Sequence, residues 1–69
     1  MIYVFKTDVS SKLRAERLKP ELDKLFPRCK WNFDLEDRDH IFRLDSPVYT
    51  SEEISARLGQ LSILHEELL

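Results

Sequence analysis

Cys29, His40 and His65 are the only cysteine and histidine side chains in this sequence. Their separations reproduce none of the zinc patterns, which gather ligands in short pairs such as Cys-x-x-Cys. Cys29 lies between Arg28 and Lys30, a setting that can activate a thiol, but a lone cysteine ordinarily behaves as a small buried hydrophobe. Asp8, Ser10 and Ser11 offer oxygens, yet a hard cation wants about six of them in a defined cage. Capping of a helix start is the simpler use, and Asp8 would repel an anion placed at that helix end. Asp34, Glu36, Asp37 and Asp39 hold enough carboxylates for an acid/base pair, but that chemistry needs a cleft that drives two pKa values apart. A hairpin tip has no such cleft, so these charges read as a solvated edge and turn. No Ser-His-Asp, Cys-His or glycine-rich phosphate motif is present, and a single glycine, Gly59, cannot build a phosphate loop. The expectation is a chain without catalytic residues and without a cofactor.

Sixty-nine residues carry eleven basic and thirteen acidic side chains, for a formal charge of −2. A chain this size makes one hydrophobic core, burying about 60% of the surface its unfolded form exposes, so residues 1–69 are read as one domain. The charge balance disfavours nucleic acid, whose phosphates call for a basic field. Every apolar run is interrupted well short of the roughly 18 residues that span a membrane, so no membrane partner is expected. One cysteine allows no internal disulfide, and Met1 to Lys6 is too short before its first charge for a signal peptide. A cytoplasmic location is the resulting expectation.

The positioning elements follow from periodicity. Ile2-Tyr3-Val4-Phe5 reads as a strand. Thr7-Asp8-Val9-Ser10 provides capping oxygens for a helix beginning near Ser10 or Ser11. Ser11, Ala15, Leu18, Leu22 and Leu25 then share one helical face. Pro20 points away from that stripe, where a kink or a restarted helix is expected, and Pro27 ends the element. Trp31, Phe33 and Leu35 alternate with Asn32, Asp34 and Glu36 as a strand whose apolar face includes Trp31 as a core-margin residue. Glu36 to Asp39 form a turn, and Phe42 and Leu44 alternate with Arg43 and Asp45 in an antiparallel third strand. Thr50-Ser51-Glu52-Glu53 is a capping box ahead of Ile54, Leu58 and Leu61. Gly59 weakens the end of that second helix, and Ile63 to Leu69 close the sheet.

The order βαββαβ gives an α+β, ferredoxin-like domain with two helices on one face of a four-stranded antiparallel sheet. The other face stays open. Ile2, Val4, Asn32, Asp34, Ile41 and Arg43 are the candidate interaction face, and Ile41 is expected to join Ile2 and Val4 in a modest apolar patch.

Over nearly its whole length the chain resembles the heavy-metal-associated domain family, the small copper-chaperone-like modules. In that family the first strand leads into Met-Thr-Cys-x-x-Cys. Lys6-Thr7-Asp8-Val9-Ser10-Ser11 occupies that stretch here, keeping the threonine while Lys6 replaces the methionine and Asp8 and Ser11 replace the two thiolates. Trp31 to Glu36, Phe42 to Asp45 and Thr50 to Ile54 are similar to the family's second strand, third strand and second-helix start. The resemblance implies a metal-chaperone scaffold with vacated ligand positions. Cu(I) is soft and selects thiolates, so Asp8 with Ser11 should not bind it.

Two functions follow as expectations. The first is a metal-free, non-catalytic interaction module that meets a protein partner or a second copy through the open face or an edge strand. The alternative is a residual metal-binding protein, related to heavy-metal transport, using Cys29 and a histidine. A small RNA-binding sheet of the same topology lacks both the charge and the aromatic strand.

Overall fold

The computed structural model of the chain describes residues 1–68. Six elements follow one another: β1 (Ile2–Thr7), α1 (Lys12–Leu25), β2 (Lys30–Asp34), β3 (Ile41–Asp45), α2 (Ser51–Gln60) and β4 (His65–Leu68). The strands form one four-stranded sheet in the order β2-β3-β1-β4, antiparallel throughout. This is the ferredoxin-like βαββαβ arrangement, and it leaves β2 and β4 as the two edges.

Strand pairing sorts the side chains. Phe5 stands opposite Phe42, Tyr3 opposite Leu44, and Trp31 and Phe33 opposite Leu44 and Phe42. Because successive side chains alternate across a strand, these residues share one face. Leu22 of α1 and Ile54 and Leu58 of α2 are fully buried in the same cluster as Phe5, Phe42 and Leu44, so both helices pack there. Val9, Phe26 and Ile63 complete that core. The sequence reading placed Val9 in a capping segment and did not single out Phe26. Both lie where the chain turns between a strand and α1, where no periodicity reports burial.

The caps explain the helix starts. Ser11 has an extended backbone, and its hydroxyl accepts the Arg14 N–H at 3.1 Å. Ser11 therefore closes the helix end and does not belong to the buried stripe, of which Leu22 is fully buried and Ala15, Leu18 and Leu25 half-buried. Thr50 accepts the Glu53 N–H at 3.3 Å, while the Glu53 carboxylate accepts the Thr50 N–H at 3.1 Å, completing the capping box. Pro20 neither ends nor restarts α1, which runs as one element from Lys12 to Leu25. The ring sits on the exposed side, and the carbonyl it deprives is that of exposed Glu16, which water can satisfy.

Three further expectations need correction. β2 begins at Lys30 and ends at Asp34, leaving Leu35 beyond the strand, half-buried against the core. β4 starts only at His65, because Ile63 is committed to the core, 2% exposed; Leu69 lies outside the described residues. Ile41 lies on the open face, between Lys6 and Asp34 in the pairing register, but is only 4% exposed. The ion pairs Lys6 to Asp39 (3.8 Å) and Arg43 to Asp34 (3.8 Å) flank it, so the long side chains of its neighbours cover it.

Candidate functional site

The corner between β1 and α1 would carry the chemistry of a metal chaperone, and here it is closed by side chains of the chain itself. Asp8 Oδ1 accepts the Leu64 N–H at 3.1 Å, and the Asp8 N–H donates to the Leu64 carbonyl at 3.1 Å. The Arg14 guanidinium, one turn into α1, lies 3.2 Å from the same Oδ1, donates to the Asp8 carbonyl at 2.9 Å and reaches the Ser62 carbonyl at 3.3 Å. A cation belonging to the protein thus ties together the end of β1, the start of α1 and the loop before β4. Ser11 is spent on its cap and Ser10 is exposed. Thr7 is buried and structural: its hydroxyl donates to the His40 carbonyl at 2.6 Å and accepts the Val9 N–H at 3.2 Å. A Cu(I) site requires two thiolates facing each other, and this corner supplies a carboxylate already paired with a guanidinium and a hydroxyl already capping a helix. These residues do not fit the metal of the resembled family.

The remaining ligand candidates are dispersed. Cys29 precedes β2 at one edge of the sheet and His65 opens β4 at the other, while His40 sits in the β2–β3 turn with a left-handed backbone, φ 48°. His40 Nδ1 is buried and has no hydrogen-bond partner among the described residues. Among those residues no three His, Cys, Asp or Glu side chains come together in a way that would hold a metal ion. The acidic turn is also occupied: Asp37 Oδ1 accepts the Asp39 N–H at 2.8 Å, and Asp39 and Asp34 pair with Lys6 and Arg43.

One contact that sequence reading missed joins a nucleophile type to a base type. His65 Nε2 lies 2.6 Å from Ser55 Oγ, and His65 Nδ1 lies 2.8 Å from the Ile63 carbonyl. A carbonyl only accepts, so Nδ1 carries a proton, and in the neutral ring Nε2 accepts from the Ser55 hydroxyl. Activating a serine also calls for donors that receive a developing oxyanion. The surrounding surface instead presents Glu52, Glu66 and Glu67, whose charge opposes one. The pair works as a strap from α2 to β4. Ten residues separate its members, and no motif spacing marks it.

The six residues expected to form an interaction face do share the open side of the sheet: Val4, Arg43 and Asn32 lie abreast, and Ile2 and Ile41 follow the same alternation with Asp34. Ile2 is 65% exposed, Val4 half-buried and Ile41 covered. What remains is Ile2 beside the Arg43–Asp34 ion pair and exposed Asn32.

A second surface lies at the β2 edge. Between α1 and β2 runs an open groove of about 550 Å³ whose apolar lining comes from Ala15, Cys29, Trp31, Phe33 and Leu35. Trp31 Nε1 donates to Asp23 Oδ1 at 3.0 Å, its ring meets Phe33 edge-on at 5.8 Å, and the Lys19 ammonium stands 6.0 Å from it. Trp31 is thus the core-margin residue expected, fixed in orientation by α1. No family model matches this chain, and no curated protein matches it. Among the described residues no helix is long and apolar enough to cross a membrane.

Proposed function

We propose that this chain is a non-catalytic protein-interaction module on a scaffold similar to that of the copper chaperones, with the ligand corner given over to a structural ion pair. The observation that supports this reading is the Arg14 guanidinium seated against Asp8 and the Ser62 carbonyl, where a bound cation would meet a resident positive charge. The lone thiol and the formal charge of −2 favour a reducing, cytoplasmic setting and a protein partner over nucleic acid. Binding through Cys29 and a histidine is the weaker reading, because Cys29 precedes β2, His40 lies in the turn at the other end of that strand and His65 opens β4 at the opposite edge.

Titration with Cu(I) and Zn(II) against a competing chelator tests the proposal. The expected result is no stoichiometric complex tighter than the chelator's. A tight complex that weakens on Asp8→Ala or Cys29→Ser would overturn it.

A further inference from the structure

Resting on the interaction-module reading above, we infer that β2 pairs with β2 of a second copy of this chain, antiparallel about a two-fold axis through Asn32, to make one continuous sheet. β2 has a single sheet neighbour, β3. No backbone hydrogen bond beyond the sheet and helices involves Lys30–Asp34 among the described residues. Its outer N–H and C=O groups form a template for another strand.

The choice of a second copy comes from charge. The strand reads Lys30-Trp31-Asn32-Phe33-Asp34, and reversing it about Asn32 sets Lys30 opposite the partner's Asp34 and Asp34 opposite the partner's Lys30. Trp31 then faces the partner's Phe33 on the helix side, and Asn32 meets its own kind on the axis. Opposite charges and aromatic pairs directly across two antiparallel strands are favourable, and a two-fold interface repeats each gain. Alternate residues of an edge strand aim their backbone groups outward. A pairing centred on one residue matches the same set in both copies, whichever set that is.

The α1 wall of the groove is mixed in charge as well, presenting Lys12, Glu16, Lys19 and Asp23, with Lys19 and Asp23 paired to each other at 3.7 Å, so no single-sign field along it opposes a second copy. The other surfaces lack the self-complementary pairing of β2. β4 reads His65-Glu66-Glu67-Leu68, and every antiparallel self-pairing that overlaps most of it sets glutamate against glutamate. The open face has lost Ile41 from its surface, while Asp34, shared with Arg43 at 3.8 Å, stays 38% exposed toward a partner's Lys30.

Sedimentation velocity over a concentration series, with circular dichroism to confirm folding, tests the pairing on the full chain. Wild type should dimerise. Lys30→Asp and Asp34→Lys, each alone, set like charges across the seam and should raise the dissociation constant at least about tenfold. Mixed together, the two variants are again complementary and should form a heterodimer. In a Cys29→Ser background, Asn32→Cys should crosslink to itself under mild oxidation, while Gln60→Cys on α2 should not.

A chain that stays monomeric leaves the edge to a strand of some other protein and overturns the inference. So does a dimer indifferent to both charge reversals, or an Asn32→Cys variant that crosslinks no faster than the α2 control. A monomer that still refuses Cu(I) and Zn(II) sinks the pairing alone, whereas tight metal binding sinks the parent reading whatever the oligomeric state.

Discussion

Arg14 changes the meaning of its corner, since a guanidinium donates in several directions at once and cannot lose its charge. Asp8 and Ser11 stand at i, i+3, the spacing of the two thiolates in the resembled family, with Arg14 paired to Asp8. Asp8→Cys with Ser11→Cys and Arg14→Ala is therefore expected to gain a stoichiometric Cu(I) complex, read by chelator competition, while Arg14→Ala alone gains none. A folded triple variant that ignores Cu(I) would remove the scaffold likeness. The use of Ser11 at a helix start was legible in the sequence because it concerns a residue type at a local position. Arg14 was not, because its contact with Ser62 spans 48 residues and appears only after β4 has returned beside β1. The Ser55–His65 strap was hidden for the same reason.

Elements were easier to read than contacts. The capping box at Thr50 is a local hydrogen-bond exchange and was visible from types and spacing alone. The start of α1 near Ser11 and the alternation of β2 and β3 were visible on the same grounds. Strand ends were less legible, because Leu35 and Ile63 are apolar residues that pack on the core from outside the ladder. The turns were hidden too: Arg28, His40 and Ser62 take left-handed backbones, φ 67°, 48° and 57°, while the one glycine sits inside α2. Such turns normally advertise themselves with glycine or asparagine. Pro20 marks a local weakness in an intact helix. Pro20→Ala restores a backbone donor within reach of Glu16, and it is expected to stabilise the fold by about 1–3 kcal/mol, less the entropy the proline removes from the unfolded chain. Chemical denaturation of the two proteins measures the difference, and an unchanged or lower midpoint would contradict this account of Pro20.

The whole molecule depends on a thin core centred on Phe42. Its ring lies 5.0 Å from Phe33, 6.0 Å from Trp31 and 6.3 Å from Phe26, joining two strands to the end of α1. Truncating a buried phenylalanine costs about 3–5 kcal/mol, and a single core in a chain this short seldom supplies more. Phe42→Ala is expected to be largely unfolded at room temperature, which its circular dichroism and loss of a cooperative melt would show. At this scale the βαββαβ order was readable from the sequence, whereas the loss of Ile41 from the surface was not, since its cover comes from lysine and aspartate chains of neighbouring segments. The two borders of the sheet have unequal consequences. Glu66 and Glu67 on β4 oppose a like strand, so with β2 paired as inferred above, neither edge among the described residues favours a third copy. Growth halts at a closed pair, and the repetitive stacking that leads other exposed strands toward fibrils has no second end from which to propagate.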